Sequence, residues 1–325
     1  MPKKILILRF SSIGDIVLTT PVIRCIKTQL PETEIQYATK KHYASILNAN
    51  PYISKLHLFE DKKLPALMDD LAKEKFDLVI DLHNNLRTFL IKNNLNIASN
   101  TFRKINFQKW LMVKLKINRL PDKHIVDRYL DTTKELGIVN DGKGLDYFIP
   151  EKDEVPVQQL PFTHLAGYCV IVVGAKHFTK QIPMVKLEEL CSKIKIPILL
   201  LGGPDDVYLG LQLENKDHFK ISSACGRYNI NQSAAVIKRA KYIITPDTGM
   251  MHIAAAFNKR IISIWGGTEK RLGFTPYLVN NSTSVIIENN QLSCRPCHRF
   301  GLDKCPKGHF KCMMDLDMQK VVDVL

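Results

Sequence analysis

The sequence predicts an α/β protein made of two parallel-sheet units in tandem, and three observations carry that prediction. Short continuous apolar runs, such as KILIL at 4–8, alternate with longer stretches whose apolar residues recur at helical spacing. The alternation stops in a segment rich in Gly, Pro and acidic residues at 140–167, then restarts. A chain of 325 residues is long enough to bury one core in each half. The expected division is 1–150 and 151–325.

In chain order, 4–8 is apolar throughout, as expected of a strand covered on both faces. DIVLTTPVIRCIKTQL at 15–30 places Ile16, Leu18, Val22, Ile23, Ile26 and Leu30 at helical spacing, and Pro31 stops it. Strands follow at 34–39, 55–59 and 76–82, with helical segments at 42–48 and 62–75 between them. The stretch 86–124 breaks the rhythm: it is basic and carries Phe102, Phe107, Trp110, Leu111 and Leu115 among its lysines and arginines. A helix is expected at 124–138, ending at Gly137. In the second half, strands at 168–174, 196–203, 241–245 and 260–266 alternate with helices at 184–194, 229–240 and 249–257.

Composition narrows the function classes. The hydrophobic share of 45% and charged share of 24% are those of a globular protein. No apolar stretch reaches the roughly 18 residues of a membrane span, and the run ILIL is too brief for a signal-peptide core. A cytoplasmic location is expected. The net charge of +14 implies an acidic partner: nucleic acid, an anionic membrane or a phosphorylated substrate. Of the eight cysteines, Cys25, Cys169, Cys191 and Cys225 are scattered in or beside apolar stretches, as buried hydrophobes would be.

Ligands of open parallel sheets bind at the carboxyl ends of strands, and several such ends here carry binding chemistry. RFSSIGD after the first strand offers Ser12 and Gly14, whose N–H groups can face a ligand, and Asp15, which reads either as a helix cap or as a functional carboxylate. TPDTGMMHIAAA at 245–256 leads from a strand into a helix through Asp247, Thr248 and Gly249. Its free N–H groups suit a diphosphate, with His252 one turn in. The plainer reading there is a capped helix with a packed histidine. GAKHFTKQIP at 174–183 supplies Lys180, a point charge for phosphate, and LLGGPDD and WGGT add glycine pairs at two more strand ends. None of these loops has the spacing of a P-loop or of a GxGxxG fingerprint.

Together these loops resemble glycosyltransferase family 9, the heptosyltransferase-like enzymes of lipopolysaccharide assembly. ILILRFSSIGDIVLTTPVIRCIK resembles the family's N-terminal motif, TPDTGMMHIAAAF its D-[ST]-G-x-x-H-x-A motif, and GAKHFTKQIP its lysine loop. The resemblance implies a GT-B fold: two Rossmann-like domains facing across a cleft, the N-terminal one for acceptor and the C-terminal one for nucleotide-sugar. It implies an inverting, metal-independent glycosyltransferase with no cofactor required for catalysis. Asp15 would be the general base, and Lys180, Asp247, Thr248, Gly249 and His252, with Ser12 and Gly14, would bind the donor diphosphate. ADP-heptose is the favoured donor. The family's glutamate near LLGGPDD is replaced by Asp205 and Asp206, and its aromatic residue before Pro183 by Ile182. The sugar is thus left open between a heptose and another hexose-like unit.

The same resemblance implies an acidic glycolipid acceptor at the inner face of the membrane. Arg103, Lys104, Lys109 and Lys114 would attract it while Trp110 and Leu111 touch lipid; the alternative is a solvated amphipathic helix. CRPCHRFGLDKCPKGHFKC, within 294–312, gathers Cys294, Cys297, Cys305 and Cys312. Structural zinc, reduced packed thiols and disulfides are its three readings. Two other function classes stand beside the enzyme: a non-catalytic binding protein on the same fold, and a basic, zinc-bearing nucleic-acid binder. No nucleic-acid module is visible in the sequence, and no nucleic-acid partner is expected.

Overall fold

A computed structural model describes residues 1–60, 63–279 and 284–325. The chain divides into two compact units: unit 1 holds 1–104 and 123–150, and unit 2 holds 105–122 and 151–325. Residues 105–122, expected with the N-terminal domain, therefore belong to unit 2. Three anchors within that unit account for it. Met112 is buried, the Lys109 ammonium sits 4.7 Å over the Phe274 ring, and Lys116 Nζ donates to the carbonyls of Cys294 and Pro296 at 3.1 and 2.7 Å.

Unit 1 is built on β1 (Lys4–Leu8), α1 (Ile13–Val17), α2 (Thr20–Gln29), β2 (Glu34–Lys40), β3 (Lys55–Phe59), α3 (Leu64–Lys73), β4 (Leu78–Asp81), α4 (Leu86–Leu95) and β5 (Ser99–Thr101). Its sheet is parallel, in the order β3-β2-β1-β4-β5. The helix expected at 15–30 is two helices. Pro21 has no N–H to offer the Val17 carbonyl, so the chain breaks there, and the hydroxyls of Thr19 and Thr20 donate to the carbonyls of Ile16 and Val17, each at 2.7 Å. Of the helix expected at 62–75, residues 64–73 form α3; residue 62 lies outside the described residues. Leu6, Leu8, Phe10, Phe59, Leu67, Val79 and Ile91 share one core.

Between the sheets' segments come α5 (Asn106–Trp110), continued by a π-turn at Leu111–Leu115, and α6 (Ile125–Leu130), which passes into a 3₁₀ turn at Asp131–Leu136 and ends at Gly137 with φ +72°. Unit 2 then runs β6 (Cys169–Val172), α7 (Met184–Lys193), β7 (Ile198–Leu201), α8 (Val207–Glu214), β8 (Ile221–Ser223), α9 (Ile230–Arg239), β9 (Tyr242–Pro246), α10 (Gly249–Ala256), β10 (Arg260–Trp265) and β11 (Ser284–Glu288). Its sheet is also parallel, in the order β11-β10-β9-β6-β7-β8. Counted from β6 as the first strand, this is the 3-2-1-4-5-6 order of a Rossmann unit. Its core joins Val173, Leu187, Leu190, Ile244, Ile262 and Ile264 to Cys312, Met313 and Val321 of the C-terminal segment.

Candidate active site

Where strand order reverses, the loops at the carboxyl ends of two neighbouring strands diverge to opposite faces and leave a crevice. In unit 1 the reversal lies between β1 and β4, and the loops there are 9–12 and 82–85. In unit 2 it lies between β6 and β9, and the loops are 173–183 and 247–248. The motifs singled out in the sequence occupy both places.

Asp15 stands at the third position of α1, with Ser12 as the N-cap. It is thus not the cap residue of its helix. Its Oδ2 accepts from Ser12 Oγ at 2.8 Å and Ser12 N at 3.2 Å, and its Oδ1 lies 2.9 Å from Arg9 Nη2. Arg9 is itself held on every side. Its Nη1 donates to the Leu82 carbonyl at 2.6 Å and the Tyr129 hydroxyl at 2.9 Å, and its Nε donates to the Ser11 carbonyl at 2.7 Å. Burial works to lower the Arg9 pKa, but Asp15, with Tyr129 and Tyr37, raises it overall, so the guanidinium stays charged. The Asp15 side chain remains 24% exposed, open to solvent or a reacting hydroxyl. Gly14 lies buried inside α1 and brings no side chain.

His83, after β4, was not a candidate from sequence, where HNN carries no recognised spacing. Its Nδ1 accepts from the Phe10 N–H at 3.4 Å, which leaves the proton on Nε2. Burial, with the charges of Arg9 and Lys104, pushes its pKa down to about 4. It is a neutral donor at pH 7, at the strand end next to Asp15's own.

In unit 2, Lys180 Nζ and Asp247 Oδ2 form an ion pair at 2.7 Å, and Thr268 Oγ1 donates to the same oxygen at 2.8 Å. Three strand-end loops, after β6, β9 and β10, thus converge on one carboxylate. Thr248 caps α10 without a side-chain bond to its first turn; its hydroxyl lies 3.2 Å from that of Thr245. The first turn of α10 thus has no side-chain cap from Thr248, and the helix dipole makes that end favourable for an anion. His252, one turn in, is buried. Thr268 was legible only as the last letter of WGGT. Asp206 turns inward: its Oδ2 accepts from Gly203 N at 2.8 Å, and burial raises its pKa, while Asp205 is exposed.

Among the proposed acceptor residues, Arg103 and Lys104 lie exposed in unit 1 and Lys114 exposed in unit 2. Lys109 is buried against Phe274 and is not presented to solvent. All eight cysteines are free thiols. Cys294 Sγ comes no closer than 4.0 Å to His309 Nε2, burial raises the Cys312 pKa to about 12, and Cys297 Sγ donates to the Gly267 carbonyl at 3.4 Å. Among the described residues, no three His, Cys, Asp or Glu side chains are arranged to hold a metal ion. Nor is any helix among them long and apolar enough to cross a membrane.

The profile of glycosyltransferase family 9 (heptosyltransferase) matches residues 65–301. Lipopolysaccharide heptosyltransferase 1 of Campylobacter coli is 26% identical over 82% of this chain and 84% of its own. The solved family 9 glycosyltransferase of Veillonella parvula superposes with a TM-score of 0.78 at 19% identity, covering 99% of this chain and 95% of its own. The ADP-heptose LPS heptosyltransferase II of E. coli does so at 0.74 and 17%, covering 99% and 97%. These are GT-B proteins, and the two parallel-sheet units described above are of the same class. The chain is a glycosyltransferase, and it belongs to glycosyltransferase family 9 (heptosyltransferase).

Proposed function

We propose that this enzyme transfers a heptose, or a closely related sugar, from an ADP-activated donor to a lipopolysaccharide-core or related acidic glycolipid acceptor, with inversion and without a catalytic metal. The observation that carries the reading is a division of chemistry between the two strand-order reversals: an oriented, part-exposed carboxylate in unit 1, and a lysine beside an uncapped helix start in unit 2. The names of the relatives support both the sugar and the nucleotide.

The acceptor hydroxyl attacks the anomeric carbon as the bond to the diphosphate oxygen breaks. Asp15 takes the hydroxyl proton; the hydroxyl turns acidic only as bonding proceeds, so a carboxylate is base enough. The Arg9 guanidinium and Ser12 hydroxyl fix which Asp15 lone pairs remain for that proton. Negative charge gathers on the departing diphosphate. Lys180 and the first-turn N–H groups of α10 meet it, with His252 behind them, and supply the positive charge that a metal supplies in other transferases. Asp247 holds Lys180 at the loop mouth, and Thr268 holds Asp247.

Peripheral contact with the inner face of the membrane fits such an acceptor. Residues 105–121 contain four basic and no acidic side chains and expose the stacked rings of Phe107 and Trp110. The test is turnover of ADP-heptose with a purified core acceptor in excess EDTA, with the product's anomeric configuration read by NMR. The expected result is full activity under chelation and a configuration opposite to the donor's. Retained configuration, or activity lost to EDTA and restored by a divalent cation, contradicts the proposal.

A further inference from the structure

Lys180 sits in a loop that β6 alone does not fix, because the ten residues 174–183 separate Val173 from α7 without strand pairing. The residue just before it, Thr179, is 1% exposed. All of its polar atoms are spent on two other segments. Its N–H donates to the Leu302 carbonyl at 3.0 Å, its Oγ1 accepts from the Leu302 N–H at 2.8 Å, and its carbonyl accepts from the Gly267 N–H at 2.9 Å. Gly267 in turn accepts from the Cys297 N–H at 2.9 Å, and it lies two residues from the motif's Trp265 and next to Thr268, which binds Asp247.

The cysteine-bearing segment 294–312 closes on the same loop at two more points. His177 Nδ1 lies 3.2 Å from Asp303 Oδ1, and the rings of Phe178 and Phe310 pack with centroids 4.6 Å apart. Both glycines at these contacts are there for close approach. A Cβ on Gly267 would come within 2.8 Å of Cys297 Sγ, and one on Gly301, at φ +107°, within 2.7 Å of His177.

We infer that Thr179 is a positioning residue for Lys180, and that segment 294–312 serves the reaction as the brace on which Thr179 is fastened. The inference rests on the reading of Lys180 as a diphosphate-binding residue. It gives the cysteine-rich segment a role that needs no ligand of its own: Leu302 and Cys297 present backbone groups, and the packed thiols hold those groups in place. Thr179 touches no substrate; it acts through the lysine that follows it and through Gly267 and Thr268, which hold the lysine's partner.

The experiment is calorimetric titration of ADP, together with steady-state kinetics, on wild type, Thr179→Val, Thr179→Ser, Gly301→Ala, Lys180→Ala and the double variant Thr179→Val/Lys180→Ala. Thr179→Val keeps the shape and removes the acceptor for Leu302. It is expected to weaken ADP binding by about tenfold and to lower kcat/KM for the donor by about tenfold or more, since Lys180 also meets the charge that gathers on the departing diphosphate. Thr179→Ser restores wild-type binding. In the Lys180→Ala background the valine changes ADP affinity less than about twofold, because the side chain it positions is gone. Gly301→Ala, which crowds His177 where the brace meets the loop, weakens ADP binding in the same direction and carries the test should the valine variant not fold. Equal affinity of wild type and Thr179→Val, with binding lost in Lys180→Ala, overturns the inference and leaves the donor site standing. So does full additivity in the double variant. Unchanged ADP binding in Lys180→Ala overturns the reading of the site itself.

Discussion

A carboxylate that accepts a proton from a sugar hydroxyl must be ionised, aimed and still reachable. In the role proposed for Asp15, Arg9 would meet the first two needs through one ion pair and three hydrogen bonds of its own, and the exposure that remains would meet the third. A lysine in its place would keep the charge and lose the planar fork that reaches Leu82, Tyr129 and Ser11 together. The neighbouring His83 gives a prediction that reads the electrostatics of the same crevice. Its folded pKa of about 4 lies below the ordinary 6.5, so the unfolded chain takes up the proton first as pH falls. Stability from this group is therefore intact above about pH 6.5 and is lost on the way down to about pH 4. Urea unfolding of wild type and His83→Gln should show the stability difference shifting against the wild type by about 2 kcal/mol between pH 7 and pH 5. His57 and His164, whose pKa values burial also lowers, remain in both proteins and cancel.

Among the elements, those with a strong apolar pattern were legible and those made by their neighbours were not. The runs of β1, β4, β6, β7, β9 and β10 announce strands covered on both faces, and each forms within two residues of its expected bounds. β5 (SNT) and β8 (ISS) are three residues long and have little apolar pattern; they are strands because β4 and β7 offer them an edge. The segment 86–124 was legible as an interruption but not as two parts. α4 and β5 complete unit 1, while 105–122 leaves it for unit 2. That placement follows from contacts distant in sequence, to Phe274, Cys294 and Pro296, which no local pattern encodes. The exposed side of this element makes its own prediction. Phe107 and Trp110, 68% and 50% exposed with rings only 13° from parallel, should insert at the headgroup level of an anionic bilayer. Sedimentation with vesicles containing phosphatidylglycerol should show binding by the wild type. Phe107→Ser/Trp110→Ser should bind about tenfold less, and both proteins should bind weakly to neutral vesicles or at high salt.

At the scale of the whole molecule, one rule of parallel sheets locates the chemistry twice. Each sheet reverses its strand order once beside its first strand, β1 or β6, and each reversal carries a motif visible in the sequence. Asp15, Lys180 and Asp247 stood out in the sequence as candidates because they lie in loops at the carboxyl ends of strands, and the structure places those loops at the reversals. Arg9 and Thr268, which bond to Asp15 and Asp247, were not singled out, since a supporting side chain is defined by what it touches. The +14 net charge acts over the same scale, and for the acidic acceptor proposed above it predicts an association rate that falls as salt rises. The central claim is that Asp15 removes the acceptor's proton. The measurement that meets it most directly is turnover and donor affinity of Asp15→Asn, which keeps the side chain's shape and its bond from Ser12. The account predicts a kcat lower by about 100-fold or more, with ADP-heptose bound as tightly as by the wild type. Turnover within a few-fold of the wild type would contradict it.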